Sequence, residues 1–159
     1  GQLQTSDIRS DQYGIRTKVF VQGKPIKFEI VLEGRIALAK PGKKDSILGV
    51  STLTKLDMAA SKLLANSDRG LDMGMHCRDV IDLAMLNLSK TEFFEAATKS
   101  KEAYGEAILK DLSKVIDMLG EANGLLERCM TAMDIPVPRA LLWQNISKVK
   151  SFVADGMPA

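Results

Sequence analysis

The alternation of apolar and polar residues changes its period once along the chain, near residue 50. Before that point the period is two. Ile15, Thr17, Val19 and Val21 alternate with Arg16, Lys18 and Phe20, and Ile26, Phe28, Ile30 and Leu32 alternate with Lys27 and Glu29. That is the pattern of half-buried strands. Gln22-Gly23-Lys24-Pro25 separates the two runs and predicts a hairpin turn. The alternation sets Phe28 and Ile30 against a core and leaves Lys27 and Glu29 on the opposite face. Pro41-Gly42-Lys43-Lys44 reads as a charged turn, since it has neither the glycine spacing nor the terminal Lys-Ser/Thr of a phosphate loop.

After residue 50 the period is helical. Thr54 and Asp57 form a capping-box pattern ahead of a stripe of Leu56, Ala59, Ala60, Leu63 and Leu64, and Asp68-Arg69-Gly70 ends that helix. Residues 77 to 88 predict a short helix that is apolar on every side. Ser89 and Glu92 make a second capping box, followed by Phe93, Phe94 and Ala97. A long stripe of Tyr104, Ile108, Leu112, Val115 and Leu119 comes next, then Leu125, Leu126, Cys129 and Met130. Leu141, Leu142, Ile146, Val149 and Phe152 mark a last helix after Pro136 and Pro138. The expected fold is α+β. A β-hairpin or small sheet over residues 1–49 is packed on a mostly α-helical bundle of five or six helices over residues 50–159.

Composition narrows the class without naming a function. The chain has 159 residues, 45% hydrophobic and 26% charged, enough to bury a core. A net charge of +2 is too small to announce a nucleic-acid binder by itself. Cys77 and Cys129 lack Cys-x-x-Cys spacing and have a single histidine to join them, which argues against zinc and for reduced thiols in a cytoplasmic protein. No apolar run approaches the roughly 20 residues of a membrane span. Met58, Met85, Met118 and Met130 fall on or near apolar stripes and are expected to fill the core, with Trp143 as a packing anchor in the last helix.

The chemistry is concentrated between residues 62 and 82. Asp82 sits among Val80, Ile81, Leu83 and Ala84, where an ionised carboxylate needs a cation; Arg78, Lys62 and Arg69 are the candidates. A buried Asp82 is therefore expected. Lys62 and the following residues to Arg69, with Arg78-Asp79-Val80-Ile81-Asp82-Leu83, resemble the lysine and Arg-Asp-x-x-Asp-Leu motifs of the AbiEii/AbiGii-type nucleotidyltransferases. These are toxin-like members of the polymerase-beta-like superfamily. Ile26-Lys27-Phe28-Glu29-Ile30 resembles that family's third-carboxylate strand.

The resemblance covers the C-terminal part of such a protein, from about residue 13 onward. It implies transfer of a nucleotide from a nucleoside triphosphate to an acceptor such as tRNA, in a bacterial toxin-antitoxin or phage-defence setting with an antitoxin protein as a possible partner. The implied residues are Glu29 for a magnesium ion and catalysis, Lys62, Arg69 and Arg78 for the phosphates, and Asp79 and Asp82 to orient those cations or act on the incoming hydroxyl. The family's Gly-Gly or Gly-Ser turn and its Asp-x-Asp or Asp-x-Glu pair are missing from these residues. The expectation is a fragment or truncated member that is inactive alone and binds no magnesium. Two other readings stay open: a non-catalytic helical interaction module, and a HEPN-like ribonuclease built on Arg69 and His76.

Overall fold

A computed structural model of the chain describes residues 4–75, 77–121 and 124–156. It is an α+β fold with an N-terminal antiparallel sheet followed, among the described residues, by six α-helices. The chain divides into two compact units after Arg35.

The first unit is the sheet. β1 (Gln4–Thr5) and β2 (Arg9–Asp11) both pair with β3 (Gly14–Val21), and β4 (Lys24–Val31) pairs with β3 along its whole length. The turn between β3 and β4 is two residues, Gln22 and Gly23, both left-handed at φ 49° and 76°. Such a turn matches the right-handed twist of the strands. Strand pairing therefore resumes at Lys24, earlier than expected, and takes Pro25 into the strand. At the other end Gly14 crosses so close to β4 that a Cβ there would lie 2.1 Å from the Ile30 carbonyl oxygen.

Register fixes the two faces. Ile15 faces Ile30, Thr17 faces Phe28 and Val19 faces Ile26, while Arg16 faces Glu29 and Lys18 faces Lys27. The alternation is as expected, while among the described residues Phe28 and Ile30 are 48% and 55% exposed, not buried. A single layer of short strands has no second layer of its own to cover an apolar face.

The second unit starts at Ile36, earlier than the expected boundary at residue 50. Ile36 is buried in the helical core, and the Ala39 N–H donates to Asp57 at 2.8 Å, which ties residues 36–39 to the helices. β5 (Ser46–Ile47) and β6 (Val50–Ser51) form a small hairpin here. The helices are α1 (Lys55–Arg69), α2 (Arg78–Met85), α3 (Lys90–Tyr104), α4 (Ala107–Gly120), α5 (Leu125–Ala132) and α6 (Arg139–Gly156). α1 packs on α2, α3 and α4, and α6 closes over α2, α3 and α4. Leu63, Leu64, Phe93, Leu112, Leu142 and Ile146 are fully buried between them. Each such side chain contributes about 1.5–3 kcal/mol by leaving water.

The capping boxes differ from one another. Ser89 and Glu92 make the reciprocal pair, the Ser89 N–H donating to Glu92 at 2.7 Å and the Glu92 N–H to the Ser89 hydroxyl at 3.2 Å. Thr54 caps α1 by accepting from the Asp57 N–H, but the Asp57 carboxylate turns inward to the Ala39 N–H instead of returning to that of Thr54. Tyr104 ends α3 and does not begin α4, because Gly105 at φ +57° breaks a stripe that runs on at four-residue spacing. Met118 and Met130 pack against the core as expected, whereas Met85 is 45% exposed.

Cys77 and Cys129 are both free and buried, with neighbouring thiols. Burial, then the Cys129 thiol, pushes Cys77 up to about 12. Only the thiolate is nucleophilic. We expect neither cysteine to react with a thiol reagent such as DTNB in the folded chain at pH 8, and both to react in denaturant; a fast reaction of the folded protein would show that this part of the core opens readily.

Candidate functional site

Helical spacing places four charged residues on facing helices. Lys62 and Arg69 are seven residues apart on α1, about two turns, and so share a face; Asp79 and Asp82 are three apart on α2 and share another. The two faces meet. Arg69 donates from Nε at 2.8 Å and from Nη2 at 3.0 Å to the two oxygens of Asp79, a forked pair. Lys62 Nζ lies 3.5 Å from Asp79 and makes a closer contact with Asp82. The Asp79 carboxylate raises the guanidinium of Arg69 further above its ordinary value, against the opposing effect of burial.

Asp79, not Asp82, is the buried acid. Its side chain is 3% exposed, and that of Asp82 is 46% exposed. The expected burial of Asp82 fails because α2 is only eight residues long and buries one side, through Asp79, Val80, Ile81, Leu83 and Ala84. Arg78, Asp82 and Met85, at four- and three-residue spacing, form its open stripe. Arg78 is exposed and makes no ion pair among the described residues, so the expected convergence of three cations reduces to Lys62 and Arg69, both neutralised.

Two hollows flank the network. One of about 340 Å³ is lined by Leu53, Met58, Ser61, Lys62, Asp82 and Met85. The other, about 250 Å³, is lined by Asn66, Asp68, Arg69, Gly70, Asp72 and Asp111. Asn66 is 3% exposed, and neither atom of its amide has a hydrogen-bond partner among the described residues. Sequence reading missed Asn66, because it lies on the same face as buried leucines and carries no motif.

Glu29 belongs to the sheet unit, where Arg16 Nε lies 3.3 Å and Lys27 Nζ 3.0 Å from its carboxylate. Magnesium favours near-octahedral oxygen coordination, commonly with one or two carboxylates beside water and substrate phosphates. Glu29 has cations as its partners, and among the described residues no group of three or more His, Cys, Asp or Glu could hold a metal ion. These residues do not fit a magnesium ion. His76 lies outside the described residues, so the Arg69–His76 pairing has no geometry here. No described helix is long and apolar enough to cross a membrane.

Comparison with protein-family models, with curated proteins and with solved structures gives no match.

Proposed function

We propose that the Lys62–Arg69–Asp79–Asp82 network is the phosphate-handling part of a nucleotidyltransferase, and that the chain corresponds to the C-terminal part of an enzyme of the toxin-antitoxin or phage-defence type. One observation carries this reading: a buried acid fixes Arg69 while Lys62 is shared with a half-exposed acid that lines a hollow. Asp79 acts as the positioning group for Arg69. The pair of Lys62 with the exposed Asp82 is worth about 0–1 kcal/mol, so an arriving phosphate can take Lys62 at small cost. Arg69 keeps donors beyond the two that Asp79 uses. The released Asp82 carboxylate is then free to accept a proton from an incoming hydroxyl, such as that of a tRNA end. On this reading the chain alone transfers no nucleotide.

The test is an NMR titration of the chain with each of the four nucleoside triphosphates at low salt, without magnesium. Weak binding should shift resonances around Lys62 and Arg69, fade as salt shortens the roughly 10 Å screening length of 0.1 M solution, and disappear in Lys62→Ala with little loss of stability. Scattered or absent shifts would leave the second reading, a non-catalytic helical module. That reading is favoured by the mutual neutralisation of the four groups, which leaves no charge in the network unpaired.

A further inference from the structure

The outer edge of β4 is the most informative feature that this function leaves unused. Every residue of β4 is exposed, and its only strand partner among the described residues is β3. Register tells which backbone groups it presents. Val21 and Lys24 close a two-residue turn and so form a hydrogen-bonded pair, after which bonded and non-bonded pairs alternate. Lys24, Ile26, Phe28 and Ile30 therefore bond inward to β3, and the Leu32 N–H, which donates to the Tyr13 carbonyl at 3.0 Å, continues that series. Pro25, Lys27, Glu29 and Val31 point their backbone groups outward. Pro25 agrees with this, since its missing N–H falls on the open side.

We infer that β4 is a self-association edge and that its partner is a second copy of this chain, paired antiparallel about a two-fold axis at Phe28. In that register the Lys27 and Glu29 backbones exchange hydrogen bonds with Glu29 and Lys27 of the second copy, and each Val31 N–H meets the opposite Pro25 carbonyl. The side chains agree with the backbone. On one face Lys27 stands opposite Glu29 twice over; on the other, Phe28 meets Phe28 and Ile26 meets Ile30, at the close spacing of non-bonded pairs. Neighbouring registers fail. A two-residue slip one way opposes Lys27 to Lys27 and the other way Glu29 to Glu29, while a one-residue slip sets outward backbone groups against inward ones. The edge is thus complementary to itself in this alignment and not in the neighbouring ones, and closure by a two-fold axis leaves no further copy to add at that edge.

Sedimentation velocity of the full chain from micromolar to millimolar concentration tests this. The expected result is a concentration-dependent dimer, with slowed amide exchange at Lys27, Glu29 and Val31 as it forms. Lys27→Glu and Glu29→Lys should each weaken it about tenfold by opposing like charges, and the double exchange Lys27→Glu/Glu29→Lys should restore it. Lys27→Pro should abolish dimerisation while leaving the amide shifts of Thr17, Val19 and Val21 in place, because that N–H bonds outward. A monomer at every concentration would show that Pro25 and Lys27 protect the edge and would overturn the inference. So would a dimer indifferent to Lys27→Pro, which would place the contact on the apolar face instead. Triphosphate binding at Lys62 is read separately in the same samples.

Discussion

Replacing Asp57 by alanine is expected to lower the stability of the helical unit by about 3–5 kcal/mol, the range for breaking a buried ion pair from one side. Asp57 is fully buried, at 0% exposure, at the start of α1. It accepts the Ala39 N–H at 2.8 Å, the Thr54 hydroxyl at 3.0 Å and the ammonium of Lys99. Removal strands all three donors. If the loss comes from the unpaired ammonium, Asp57→Ala/Lys99→Met should be more stable than Asp57→Ala alone, and urea midpoints of the native chain and the two variants give the answer. A double variant less stable than the single one would assign the cost to the Ala39 and Thr54 bonds.

The same group sets a pH dependence. Burial pushes the Asp57 carboxyl upward, but the bonds from Lys99, Ala39 and Thr54 outweigh it and hold the carboxyl below the usual carboxylate range. Glu92, bonded to the Ser89 backbone and then to Lys55, is held at about 2. Both folded values are depressed. Their contribution is therefore present above the unfolded values near 4 and is lost as pH falls toward the folded ones. The native chain should lose stability between about pH 4 and pH 2, and Asp57→Ala should show a shallower fall there.

Local pattern made the helices legible, and long-range contact hid most of the rest. The Ser89–Glu92 box needs only residues three apart, and it forms as the sequence predicts. Asp57 matches half of a similar box in the sequence, but its decisive partners, Ala39 and Lys99, lie 18 and 42 residues away. The unit boundary moved for the same reason: the burial of Ile36 among helices leaves no periodic mark around it. The exposed face of β4 shows the opposite failure. Alternation correctly separated Phe28 and Ile30 from Lys27 and Glu29, but alternation reports which residues share a face, and whether anything covers that face is a property of the second layer. In α2 the buried acid lies one turn from the one that its apolar neighbours in sequence pick out, because neighbours in sequence on a helix that buries one side are not neighbours in space.

The burial of Asp79 makes the second large effect directly testable. Asp79→Ala is expected to cost about 2–4 kcal/mol, and Asp82→Ala less than about 1. Asp79 is held by two bonds from Arg69 and one from Lys62, and at 3% exposure its carboxylate has almost no water to replace them. The cations left behind are not sealed in. Lys62 and Arg69 are 28% and 39% exposed, so water recovers part of the loss, and the cost is smaller than at Asp57. Asp82 already faces solvent on the open stripe of α2, and its removal simply returns Lys62 to water. The two variants also separate structure from function. Losing Asp82 frees Lys62 without moving it and should strengthen triphosphate binding a few-fold, whereas losing Asp79 releases Arg69 from its fork and should weaken it. Chemical melts with triphosphate titrations on both variants measure each effect; equal midpoints for Asp79→Ala and Asp82→Ala would overturn the assignment of Asp79 as the carboxylate that holds α1 to α2 more strongly.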